Sequence, residues 1–101
     1  MATPPVFSGQ QLLQWAQRTA DELNRRRVEI NELNVFPVPD ADTGSNMAYT
    51  MSAAVEEASH LETSASARQV AEALAVGAVK GARGNSGLVL SQAVSYTHLR
   101  A

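Results

Sequence analysis

The chain has 101 residues, with 8 lysines and arginines against 10 aspartates and glutamates, a formal net charge of −2, and no cysteine. That length holds one small domain at most, or part of a larger one, and a free-standing enzyme of this size would bury unusually little surface. The near-even charge argues against a dedicated nucleic-acid binder, and the lack of cysteine excludes a disulfide framework and a thiolate zinc site.

Met1 to Phe7 is a short lead-in closed by Pro4 and Pro5, with no basic n-region or apolar h-region. No apolar run approaches ~18 residues, so no transmembrane segment is expected and a soluble cytoplasmic protein is the default. Ser8 with Gln11 three residues on is a capping box that opens a first helix, predicted over 9–32. Leu12, Trp15, Ala16, Thr19, Leu23 and Ile30 fall on one face of it. Arg25-Arg26-Arg27 near its end reads as solvated cations offsetting the helix dipole, with a partner contact as the alternative.

Asn34-Val35-Phe36-Pro37-Val38-Pro39-Asp40-Ala41-Asp42-Thr43-Gly44-Ser45-Asn46 has neither a helical nor a strand period. Pro37 and Pro39 hold it extended, as a stiff strut that ends in Asp40 and Asp42 on one side of the backbone. Two adjacent carboxylates repel unless a cation lies between them, and hard oxygen ligands select Mg²⁺, Mn²⁺ or Ca²⁺ over zinc. Thr43, Ser45 and Asn46 then stand at a helix N-terminus, where backbone N–H groups and the dipole favour an anion. A metal beside an anion site suggests a metal-bound phosphate. A plain turn followed by an N-cap accounts for the same residue types. An EF-hand does not, because counting from Asp40 its sixth and twelfth positions hold Ser45 and Met51.

Met47, Met51, Ala54, Val55 and Ala58 repeat at helical spacing and predict a second helix over 47–61, with His60 facing solvent at its end. Ser66 and Gln69 form another capping box before a third helix, 67–81, whose face of Val70, Leu74, Gly77, Ala78 and Gly81 lets a neighbouring helix approach closely. Gly81-Ala82-Arg83-Gly84-Asn85-Ser86-Gly87 breaks the pattern, and a fourth helix is predicted over 86–93. Three glycines in seven residues permit an anion nest, and Asn85 or Ser86 can cap the next helix. Alone, the segment reads as a helix corner with a Gly stop and an Asn cap, and only beside the Asp40–Asp42 loop does phosphate binding become the preferred reading; no Lys-Ser/Thr follows, so it is not a Walker loop. Val94 to Ala101 departs from the pattern and reads as a non-native, adapter-derived tail, which confines the domain to 8–93.

The two long motifs, Leu33 to Met47 and Gly81 to Gly87 with Leu90-Ser91-Gln92 downstream, resemble the nucleotide-binding (DhaL-like) domain of the dihydroxyacetone kinase family. Within that family the chain is most similar to the N-terminal kinase domain of the catalytic subunit of bacterial fatty-acid kinase. The resemblance implies an all-α fold, here the N-terminal part of an eight-helix barrel that binds ATP and two magnesium ions at one end. It makes Asp40 and Asp42 the metal ligands and catalytic carboxylates. It puts Asn34 near a third metal position, where an aspartate is usual and an amide brings no charge. It turns Thr43, Gly44, Ser45 and Asn46 toward the phosphates and makes Gly84, Asn85, Ser86 and Gly87 the glycine-rich nest.

Thr43 stands where dihydroxyacetone kinases usually show histidine, and Ala41 replaces a glycine common in the fatty-acid branch. The implied function is Mg-ATP-dependent phosphorylation of a fatty-acid carboxylate, presented by a separate fatty-acid-binding protein, to give an acyl phosphate. A carboxylate is already ionised near neutral pH and needs no general base, and the motifs include no obvious one. The alternatives are the L-type phosphotransfer subunit of dihydroxyacetone (glycerone) kinase and a non-catalytic helical module. A fragment of the domain is expected to be inactive by itself. A homo-oligomer is compatible with the resemblance; a nucleic-acid partner is not expected.

Overall fold

The computed structural model describes residues 8–33 and 43–100, and the described residues are all-α. Four helices follow one another: α1 (Gly9–Leu33), α2 (Thr43–Ala58), α3 (Ala67–Lys80) and α4 (Gly84–Arg100). Both predicted capping boxes are formed. Gln11 N–H donates to Ser8 Oγ at 3.1 Å while Ser8 N–H donates to Gln11 Oε1 at 3.0 Å. The Ser66–Gln69 pair repeats this at 3.1 and 2.8 Å. Each box gives partners to two backbone groups that a helix start leaves free.

α2 is the central element, packed against α1, α3 and α4, and α1 also touches α3. The core is built largely of alanine, with Ala16, Ala20, Ala48, Ala54, Ala58, Ala71, Ala75 and Ala78 around Leu12, Met51, Val70 and Leu74. Such small side chains draw helix axes together. At Gly77, facing α2, an added Cβ would lie 2.6 Å from the Ala53 carbonyl oxygen and 2.8 Å from Ala54 Cα. The close approach expected of Gly77 is therefore realised, and the α2–α3 interface has no room for a methyl group.

Trp15 departs from its expected place in the core and is 50% exposed. It sits at the edge of the apolar stripe, whose centre is Leu12, Ala16, Ala20 and Leu23, and an alanine-lined interface cannot take an indole. Trp15 instead lines an apolar groove between α1 and α4, of about 230 Å³, with Leu12, Met51, Leu74, Leu90 and Val94 among its walls.

The ends of α2 and α4 also differ from expectation. α2 begins at Thr43 rather than at 47 and stops at Ala58, after which Ser59 to Leu61 form a turn. His60 is exposed as expected but has a local partner, its Nε2 lying 3.4 Å from Glu56 Oε1. α4 begins at Gly84 and runs to Arg100, past the expected stop at 93. Val94, one turn beyond Leu90, packs with it against the core, so the helical period crosses the point where the sequence pattern changes. Among the described residues, no helix is long and apolar enough to cross a membrane.

Candidate functional site

Asn34, Asp40 and Asp42, the expected metal ligands, lie outside the described residues. Among the described residues no group of three or more His, Cys, Asp or Glu side chains gathers as a metal site. The expected phosphate-facing residues are described on both sides: Thr43, Gly44, Ser45 and Asn46 form the first turn of α2, and Gly84, Asn85, Ser86 and Gly87 the first turn of α4.

The two turns touch. Gly84 has φ +63°, and a Cβ there would fall on Asn46 Nδ2 and 3.1 Å from its Cγ. A Cβ on Gly87 would fall on Thr50 Oγ1, with the Asn46 carbonyl oxygen 3.5 Å away. Both glycines let the start of α4 lie against the first turns of α2. Thr50 joins the two as a fully buried hydroxyl that donates to the Asn46 carbonyl at 2.8 Å and accepts from the Arg83 N–H at 3.3 Å. Two segments far apart in the chain thus present their helix N-termini at one place. N–H groups left free at such helix starts favour an anion.

The expected nest is narrower than three glycines suggested. Gly84 is the one glycine with positive φ among the described residues. Gly81 closes α3 at φ −99°, with its N–H on the Gly77 carbonyl at 2.9 Å, and Gly87 is already helical, its N–H on the Arg83 carbonyl at 3.0 Å. Asn85 and Ser86 accordingly lie inside the first turn of α4 and do not cap it, because the helix starts before them.

Asn31, near the end of α1, was not foreseen in this region. Its Oδ1 accepts from the N–H of Gly44 at 2.6 Å and of Ser45 at 3.3 Å, and its Nδ2 donates to Ser45 Oγ at 3.3 Å. Two N–H groups at the start of α2 are therefore capped from a neighbouring helix and are not open to a ligand in this arrangement. Gly44 makes the approach feasible, since a Cβ there would lie 2.9 Å from Arg27 Cα. Thr50, Tyr49 and Arg83 were likewise missed as site-forming residues. Thr50 and Tyr49 have the spacing of ordinary helix residues, and only the fold turns them toward the corner before α4.

Beside these turns a cleft of about 520 Å³ is lined by Asn24 and Arg27 of α1, by Ser45, Asn46, Tyr49 and Ser52 of α2, and by Arg83. The Arg83 guanidinium lies 3.8 Å from the centre of the Tyr49 ring. The cleft is in the size range of small-ligand sites, and its walls combine polar and cationic side chains with Ala48 and the Tyr49 ring. The donor set suits phosphate oxygens: short hydroxyls and amides, a positive-φ glycine and guanidinium groups. Elsewhere on α1, Arg25 and Arg26 pair with Glu22, and the hydrogen bond from Arg25, then that from Arg26, lowers the Glu22 pKa below its ordinary value. All three arginines of the run are exposed, as expected, but α1 continues to Leu33 with no basic residue in its last turn, so they do not offset the dipole at the helix end.

The DAK2 domain family matches residues 37–98, more than half of the chain. The chain belongs to that family. This DAK2 domain is 44% identical over 73 residues to Protein YloV of Bacillus subtilis (strain 168), an alignment covering 72% of this chain and 13% of that protein. It is 41% identical over 73 residues to uncharacterized proteins of Staphylococcus aureus strains USA300 and NCTC 8325, with the same coverage. The alignments thus span about an eighth of the length of these relatives. The match brackets both turns described above, and the all-helical fold agrees with a DhaL-type domain.

Proposed function

We propose that this DAK2 domain is the nucleotide-binding part of a Mg-ATP-dependent kinase whose acceptor is a fatty-acid carboxylate. The observation that carries the reading is the seating of the Gly84 turn on Asn46, which brings the glycine-rich start of α4 against the first turn of α2, the helix that follows Asp42 directly in the sequence. In this reading the acidic pair holds Mg²⁺, two ions in all with Asn34 a weaker ligand. Thr43, Ser45, Asn46 and the Gly84–Gly87 turn face the phosphates. The γ-phosphoryl group passes from ATP to a carboxylate oxygen, the bond to the β-phosphate breaks, and ADP leaves. Such a transfer depends on positioning and charge neutralisation more than on covalent help from the protein.

The carboxylate acceptor is favoured over dihydroxyacetone by Thr43 and by the Val35-Phe36-Pro37-Val38-Pro39 run, as well as by the absence of a base among the motif residues. A separate fatty-acid-binding protein would present the acyl chain, and the setting would be the cytoplasm. The test is an assay of the full-length protein with ATP and Mg²⁺, supplied in turn with a fatty-acid-loaded binding protein and with dihydroxyacetone and its binding subunit. Acyl phosphate trapped by hydroxylamine is the expected product; phosphorylation of dihydroxyacetone alone would overturn the acceptor. Asp40→Asn and Asp42→Asn should each greatly weaken Mg-ATP binding, whereas exposed Glu56→Gln should not. Equal, small effects of all three would favour a non-catalytic helical module.

A further inference from the structure

The cleft beside Ser45 and Asn46 carries two guanidinium groups, Arg27 from α1 and Arg83 from the corner before α4, and no carboxylate of the described residues lines it. The other basic side chains nearby are answered: Arg25 and Arg26 by Glu22, Arg26 also by Glu29 at 3.7 Å, and Lys80 by Glu57 at 3.6 Å. Among the described residues, neither Arg27 nor Arg83 has a carboxylate within ion-pair distance. Two like charges facing one cleft repel, and an anion placed between them relieves the repulsion.

Both arginines are exposed, and each has a local contact. Arg83 is anchored through its N–H to the buried Thr50 hydroxyl, and its guanidinium is stacked 3.8 Å from the Tyr49 ring centre. Arg27 Nη1 donates to Asn24 Oδ1 at 3.0 Å, and both residues line the cleft. A planar guanidinium fork matches two oxygens of one oxyanion.

We propose that Arg27 and Arg83 form a phosphoryl clamp at the outer edge of the two N-termini, taking phosphate oxygens of the nucleotide or of the phosphorylated product. The clamp deepens the phosphotransferase reading and rests on it. Titration calorimetry on the full chain, with ATP, inorganic tripolyphosphate and acetyl phosphate as separate probes, tests it, and circular dichroism verifies that each variant keeps its helices. Arg83→Gln and Arg27→Gln should each weaken binding by about tenfold, the scale of one charge-assisted hydrogen bond. Arg83→Lys should recover part of the loss, since it keeps the charge and loses the fork, and Arg68→Gln on α3 should change nothing.

A loss seen with ATP and tripolyphosphate supports the clamp on the nucleotide side, and a loss seen with acetyl phosphate alone supports it on the product side. Unchanged affinities in both glutamine variants, or no binding of any probe by the unaltered chain, would overturn it. Asp40→Asn separates the two readings. Intact arginine dependence with Mg-ATP binding indifferent to Asp40 would sink the metal-dependent reading and leave the clamp standing, and the reverse result would sink the clamp alone.

Discussion

Replacing Gly84 by alanine should damage the site in two separable ways. Its φ of +63° costs a non-glycine residue about 1–2 kcal/mol. The new Cβ would also fall on the Asn46 amide, 3.1 Å from its Cγ, and displacing that side chain from its rotamer adds about 0.5–1.5 kcal/mol. The sum, about 2–3 kcal/mol, corresponds to a fall in Tm on the order of 10 °C or more for a domain of this size. Asn46→Ala alone should change stability by less than about 0.5 kcal/mol, because it removes no core contact. In the double variant Gly84→Ala/Asn46→Ala the steric part vanishes and the backbone part stays, so about 1 kcal/mol should return. Thermal and urea denaturation of the four proteins closes the cycle. A double variant no more stable than Gly84→Ala, within the ~0.3–0.5 kcal/mol expected of independent sites, would refute the seating of the turn on Asn46.

Gly77→Ala sets helix propensity, a gain of about 1 kcal/mol, against a methyl group 2.6–2.8 Å from Ala53, Glu57 and Ala54 atoms. Two of these are backbone atoms that cannot yield, so denaturation should show a net loss of about 1–3 kcal/mol, and a raised Tm would contradict the α2–α3 packing. Asn31→Ala uncaps the N–H groups of Gly44 and Ser45 and should cost about 0.5–2 kcal/mol, with faster amide exchange at the start of α2 and not of α3. Glu22 is a carboxylate whose folded pKa is depressed by Arg25 and Arg26, so its stabilising effect is present above the ordinary value of 4.5 and is lost as pH falls through the lower folded value. Glu22→Gln should flatten the decline in α1 helicity in that acid range, and the effect should be small because the pair is exposed and screened.

The helices were largely legible in the sequence because their signals are local. A capping box needs only Ser8 and Gln11, or Ser66 and Gln69, three residues apart, and a buried face needs only the recurrence of Val70, Leu74 and Ala78. The two motif segments were legible for the same reason, as short runs of glycine and small polar residues between periodic ones. Local pattern placed Trp15 in the core and stopped α4 at 93, because neither the width of an alanine-lined interface nor the groove that Val94 faces is written in residue spacing. Only the tertiary structure decided that Asn31 reaches across to cap α2, that the Thr50 hydroxyl ties Arg83 to the Asn46 carbonyl, and that Arg27 and Arg83 share one cleft. Each of those contacts joins residues from different elements, and helix crossing geometry, rather than chain order, sets which side chains meet.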